Sequence, residues 1–205
     1  MSSLDEELRI TEALGRAIQS GNSDQLREEA YNLDTHLINV GSFSPTLFKE
    51  LMKTLSLHEF LTMEGSFTLL KIFQDSFDYL TDDQKGELLR MLETCYEDLT
   101  DPTSCFLVSE IVGGSYSDER ALQTLRRLKE SKADVPRSLV PHGFEYFTRK
   151  CGDRELARLA FNELLQMKSD PSENVRDEAI TSSNQLARHG WPPSNESPET
   201  KSLDP

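Results

Sequence analysis

Long apolar runs are missing from this chain. None approaches the ~20 residues that a membrane span requires, and the opening Met1-Ser2-Ser3-Leu4-Asp5-Glu6-Glu7 is acidic with no signal-peptide core. Cysteine is scarce. Cys95, Cys105 and Cys151 are odd in number, lack metal or redox spacing and sit among mostly apolar neighbours. A disulfide framework is therefore excluded, and reduced core thiols of a cytoplasmic protein are expected. The two-residue alternation of half-buried strands is nearly absent. No glycine-rich phosphate loop and no nucleophile elbow occur. His58-Glu59 starts like a zinc-protease helix motif, but Thr62 stands where the second histidine is required, so no metal site and no cofactor are expected.

What the chain has in quantity is negative charge. The 205 residues carry a formal net charge of -14, with 36% hydrophobic residues and a mean hydropathy of -0.54. Residues 1–100 hold 19 acidic and 8 basic side chains, a balance of -11, while 101–205 hold 17 and 14, a balance of -3. Such a field repels nucleic acid and anionic membranes and draws basic partners in. Simple solubility accounts for the same charge.

The helical period runs from end to end. Leu4, Leu8, Thr11, Leu14 and Ile18 step by threes and fours behind a capping box of Ser3 with Glu6, and Gly21 ends that helix. Asn22 with Gln25 opens a second helix along Leu26, Ala30, Leu33, Leu37 and Val40. Ser44-Pro45 starts a third, which turns Leu47, Leu51, Met52 and Leu55 inward. Gly65-Ser66 marks the start or a kink of a helix carrying Leu70, Phe73, Phe77 and Leu80. Thr81 with Gln84 opens the next, through Leu88, Leu92, Cys95 and Leu99. Asp101-Pro102 starts an apolar helix over Phe106 to Val112, which Gly113-Gly114 is expected to close as left-handed glycine endings do. The reading is an all-α chain of about 8–10 helices, one domain over 1–190 and a disordered Pro, Ser, Asn and Glu tail over 191–205.

Residues 118–150 and 153–190 repeat. Asp118 and Asp153 each precede a helix, and Ala121, Leu122 and Leu125 match Leu156, Ala157 and Ala160. A second helix follows in each unit, through Val140, Phe144 and Phe147 in one and Val175, Ala179 and Leu186 in the other. In the second unit Asp170 is expected to cap that helix, Val175 and Ala179 to pack inward, and Arg176 to reach the Asp of a neighbouring turn. Asp134, Val135 and Arg137 form a looser version interrupted by Pro136. Over 118–190 this pattern resembles the HEAT and armadillo-like α-solenoid superfamily. The resemblance implies an α-solenoid of stacked antiparallel helical hairpins, a surface with no built-in chemistry.

Two groups of residues are candidates for function. Asp75, Asp78, Asp82, Asp83, Glu87, Glu93, Glu97 and Asp98 crowd a helix end, a turn and the next helix. They are expected to receive a basic protein, although carboxylates also favour a helix amino end on dipole grounds. Glu110 interrupts the apolar run 105–112. With Arg137 and His142 it makes the one constellation that could line a groove. A solvent-facing Glu110, or an inter-repeat ladder with Arg137 or Arg176, is the plainer reading.

The expected function is a non-enzymatic, acidic protein-interaction module, in its sharpest form an immunity or inhibitor protein that neutralises a basic toxin or nuclease. A HEAT-like scaffold or assembly factor shares every feature. The basic run Arg120, Arg126, Arg127, Lys129 and Lys132 carries the remaining alternative, a nucleic-acid-processing enzyme, because HEAT-like relatives such as the alkylpurine glycosylase group bind DNA through such faces. The acidic first half argues against it.

Overall fold

The structure, a computed structural model, describes residues 3–192, with side chains from residue 5 onward. The capping side chain of Ser3, the inward Leu4 and the tail beyond residue 192 lie outside the described residues. Within them the chain is helical, with no strand. Its eleven α-helices are α1 (Ser3–Gln19), α2 (Ser23–Val40), α3 (Pro45–Leu55), α4 (His58–Thr62), α5 (Phe67–Asp75), α6 (Asp82–Cys95), α7 (Pro102–Glu110), α8 (Glu119–Leu128), α9 (Asp134–Lys150), α10 (Arg154–Met167) and α11 (Glu173–Arg188). One exceeds the expected range because Gly65, with φ +89, separates α4 from α5. Helix α4 itself ends at Thr62, where Met63 turns extended, and Gly65 supplies the left-handed φ that the turn before α5 needs.

The caps explain where the helices begin. Side-chain oxygens of Asn22, Ser44, Thr81, Asp101, Asp118 and Asp153 each accept an N–H of the first turn that no helical carbonyl reaches. Thr81 and Gln84 close a full capping box. Proline stands in the first turn of α3 and α7, where a missing donor costs nothing.

The helices neighbour one another in two series. One runs α1, α3, α6, α8, α10, each packing on the next, and the other runs α2, α5, α7, α9, α11. The pairs α1 with α2, α8 with α9 and α10 with α11 join the two series. The core lies between them, with Leu14, Leu26, Leu47, Phe60, Phe73, Leu92, Val108, Leu125, Phe144 and Leu186 fully enclosed.

Four local expectations are corrected. Gly113-Gly114 is not a left-handed stop, since neither glycine has a positive φ. The helix instead widens into a π-helical turn over Ile111–Ser115, and a Cβ on Gly113 would lie 2.0 Å from the carbonyl oxygen of Gly143. Glycine is there because two backbones touch. Asp170 does not cap α11. Its carboxylate accepts the N–H of Ser172, the residue just before α11, at 2.8 Å and reaches no N–H of the first helical turn. Arg176 reaches no carboxylate, and donates to the main-chain carbonyls of Asp170 and Pro171, both at 2.8 Å. Leu8 and Val40 lie outside the core, 41% and 46% exposed. On α1 the inward position is Glu7, which accepts the Ser44 hydroxyl at 2.5 Å and lies 3.5 Å from Nε2 of the buried His36.

The stretches 118–150 and 153–190 share one arginine contact. Arg137 donates to the Ser131 carbonyl at 2.9 Å as Arg176 does to that of Asp170, six residues back in each case. The caps Asp118 and Asp153 stand 35 residues apart and the arginines 39. The offset grows because α10 has 14 residues where α8 has 10.

Candidate functional site

The acidic stretch forms two groups at opposite ends of α6. At 14 residues that helix spans about 21 Å. The amino-terminal group begins with Asp75 at the end of α5, whose carboxylate is bound by Lys71 one turn back. Asp78 sits in a 3-10 turn over Phe77–Tyr79, and Asp82 and Asp83 occupy the first turn of α6. Asp78, Asp82, Asp83 and Glu87 are exposed, and none makes a salt bridge among the described residues. The interleaved cation, Lys85, lies over the Phe77 ring at 4.8 Å.

The carboxyl-terminal group is occupied differently. Glu93 accepts from Arg127 at 2.7 Å and from the Thr124 hydroxyl at 3.1 Å. Glu97 accepts the main-chain N–H of Lys132 at 3.2 Å, and Asp98 is exposed. Glu93 and Glu97 thus join α6 to α8 and its following turn.

The same accounting dissolves most of the basic run. Arg120 pairs with Asp118 at 2.7 Å, Arg126 with Glu163 at 2.7 Å, Lys129 with Glu163, and Arg127 with Glu93. Burial alone would raise the Glu163 carboxyl, but hydrogen bonds from Lys129 and Arg126 outweigh it and hold that group below its ordinary range. A cleft of about 190 Å³ between α6 and α8 collects Arg90, Arg120 and Arg127, but Asp118 and Glu93 already occupy two of these guanidiniums.

Glu110, Arg137 and His142 each face groups outside the trio. Glu110 is half-buried beside Tyr146, whose hydroxyl is pushed up to about 12, mainly by burial and then by the Glu110 carboxylate. Arg137 is taken by Asp134 at 3.3 Å and faces Asp170 at 3.6 Å. His142 reaches Glu178 through Nε2 at 3.0 Å, faces the Ser182 hydroxyl through Nδ1 at 3.4 Å, and packs on the Phe106 ring. No salt bridge joins Glu110 to Arg137 or Arg176 among the described residues; the pairs found are Arg137 with Asp170 and His142 with Glu178.

Two features escaped the sequence reading. Glu145 is buried and pairs with Arg149 at 3.0 Å; burial raises its carboxyl, with Arg149 and His142 opposing. Pro141, Glu145 and Thr148 form a buried stripe spaced four and three apart, which was the available signal. On α2, Tyr31 and Ile38 are 71% and 63% exposed. Placing Leu26, Ala30, Leu33 and Leu37 inward already puts both on the opposite side.

No group of three or more His, Cys, Asp or Glu able to hold a metal occurs among the described residues. Burial pushes the Cys95 and Cys105 thiols up to about 12, so neither is a nucleophile at neutral pH. No helix is long and apolar enough to cross a membrane among the described residues. The chain matches no family model, no curated protein and no solved structure.

Proposed function

We propose that this chain is a non-enzymatic protein-interaction module, a HEAT-like α-solenoid whose acidic half receives a basic protein. The two series of helix neighbours support the solenoid reading, as do the matched arginines Arg137 and Arg176. Stacked hairpins of this kind present a long surface and few cavities. In its sharpest form the partner is a basic toxin or nuclease, and the module is its inhibitor.

One observation carries the reading. Asp78, Asp82, Asp83 and Glu87 stay exposed and unpaired, while Arg120, Arg126, Arg127 and Lys129 are held by neighbouring carboxylates. Negative charge left uncompensated at one end of a helix costs self-repulsion and steers a cationic partner.

Affinity capture from native lysate at low salt tests this, with the wild type beside the triple variant Asp82→Lys, Asp83→Lys, Glu87→Lys. The expected result is a basic protein retained by the wild type, released at high salt and absent from the variant. Equal retention by both baits would remove the acidic group from the account.

A further inference from the structure

Two of the exposed large apolar side chains of the acidic half, Tyr31 and Phe67, border one groove. Helix α2 buries Leu26, Ala30, Leu33 and Leu37 completely or nearly so, and leaves Tyr31 71% exposed. Phe67, the first residue of α5, is 36% exposed although Leu70, one turn on, is enclosed. Between the two helices lies a cleft of about 270 Å³, with Ala30 and Tyr31 on one wall, Phe67 and Ile72 on the other, and Asp34 and Asp75 beside them. Ile38 continues the apolar side of α2 two turns beyond Tyr31. Single exposed apolar residues are ordinary, but aromatic groups on both walls of one cleft mark a docking surface. A cleft just under the ~300 Å³ of small ligand sites suits an anchoring side chain better than a free metabolite.

Charge around the cleft decides what kind of anchor fits. Its two cations are already held, Arg27 by Asp24 at 3.3 Å and Lys71 by Asp75. Asp34 makes no salt bridge among the described residues. Among the charged residues lining the cleft, Asp34 is thus the one with no opposite partner. The uncompensated charge beside this apolar cleft is therefore negative.

We infer that the α2–α5 groove docks a segment of a basic protein that presents one large apolar side chain flanked by lysine or arginine. The apolar group seats between Tyr31 and Phe67. The cations face Asp34, and one of them can lie over the Tyr31 ring. Amphipathic segments bind grooves in this way, with apolar anchors supplying affinity and flanking charge supplying orientation. The inference rests on the basic-partner reading and adds the place and the anchor.

Three fluorescein-labelled helical peptides test it by anisotropy. One has leucine on one face and lysine on the other, the second replaces the leucines with serine, and the third replaces the lysines with glutamate. They are titrated against the wild type, the groove variant Tyr31→Ser with Phe67→Ser, the single variant Tyr31→Ser and the triple variant at residues 82, 83 and 87. The wild type is expected to bind the leucine–lysine peptide at least about tenfold more tightly than either control. The groove variants lose that margin while the triple variant weakens all lysine peptides alike. Tyr31 is largely solvent-exposed, so the single variant keeps the test valid if the double variant fails to fold. Unchanged affinity of the groove variants, with weakening by the triple variant, overturns the groove and leaves the basic-partner reading standing. Equal binding of the glutamate peptide overturns both.

Discussion

Gly15 and Gly113 are both helical glycines, and their surroundings give them opposite roles. A Cβ at Gly15, inside α1, would meet nothing within 4 Å, whereas at Gly113 it would stand 2.0 Å from a backbone oxygen. Gly15→Ala is expected to raise unfolding stability by about 1 kcal/mol through helix propensity. Gly113→Ala is expected to lower it by about 3 kcal/mol, since α9 must move away. Urea denaturation of the two variants checks both signs. Glu145 sets a pH dependence. Burial lifts its carboxyl above the 4.5 of the free group, so the folded chain holds that proton more tightly than the unfolded one. Its contribution to stability is full below 4.5 and declines as pH rises through the folded value. Glu145→Gln should remove that decline in unfolding free energies measured across the acidic range. A variant that keeps the decline would place its origin elsewhere. Glu163, held low by Lys129 and Arg126, acts in the opposite sense, its contribution being lost as pH falls through its folded value.

At the scale of elements, Arg137 is one of the side chains that link the start of α9 to the turn before α11. It holds the Ser131 carbonyl and Asp134 and faces Asp170. Arg137→Ala is expected to cost about 2 kcal/mol, the range for hydrogen bonds to a charged group. The loss should appear as lowered hydrogen-exchange protection in α9 and α11 together. Loss confined to α9 would deny it a linking role. Helix starts were legible because a cap is a local device: Asn22, Thr81 and Asp153 act on N–H groups within three residues. The π-helical turn was not, because two glycines after an apolar run spell a stop as well as a contact, and Gly143 lies 30 residues on. The splitting of the acidic stretch was hidden in the same way. The partners that claim Glu93 and Glu97 sit 34 and 35 residues further along the chain.

For the whole molecule, the uneven charge is the property that most shapes an encounter. The first hundred residues carry a balance of -11 and the remainder -3, and the cations of α8 are paired internally while the acidic end of α6 is left uncompensated. Charge of this kind acts over a Debye length of about 8 Å at physiological ionic strength, so it governs approach more than residence. The apolar groove between α2 and α5 governs residence, and the two contributions separate kinetically. The most direct measurement is the association rate of the captured basic partner as a function of ionic strength, for the wild type and for Asp82→Lys, Asp83→Lys, Glu87→Lys. A fast wild-type rate that falls steeply with salt, against a slow and nearly salt-independent rate for the variant, is the predicted result. Equal rates with equal salt dependence would contradict the claim that this acidic surface receives the partner.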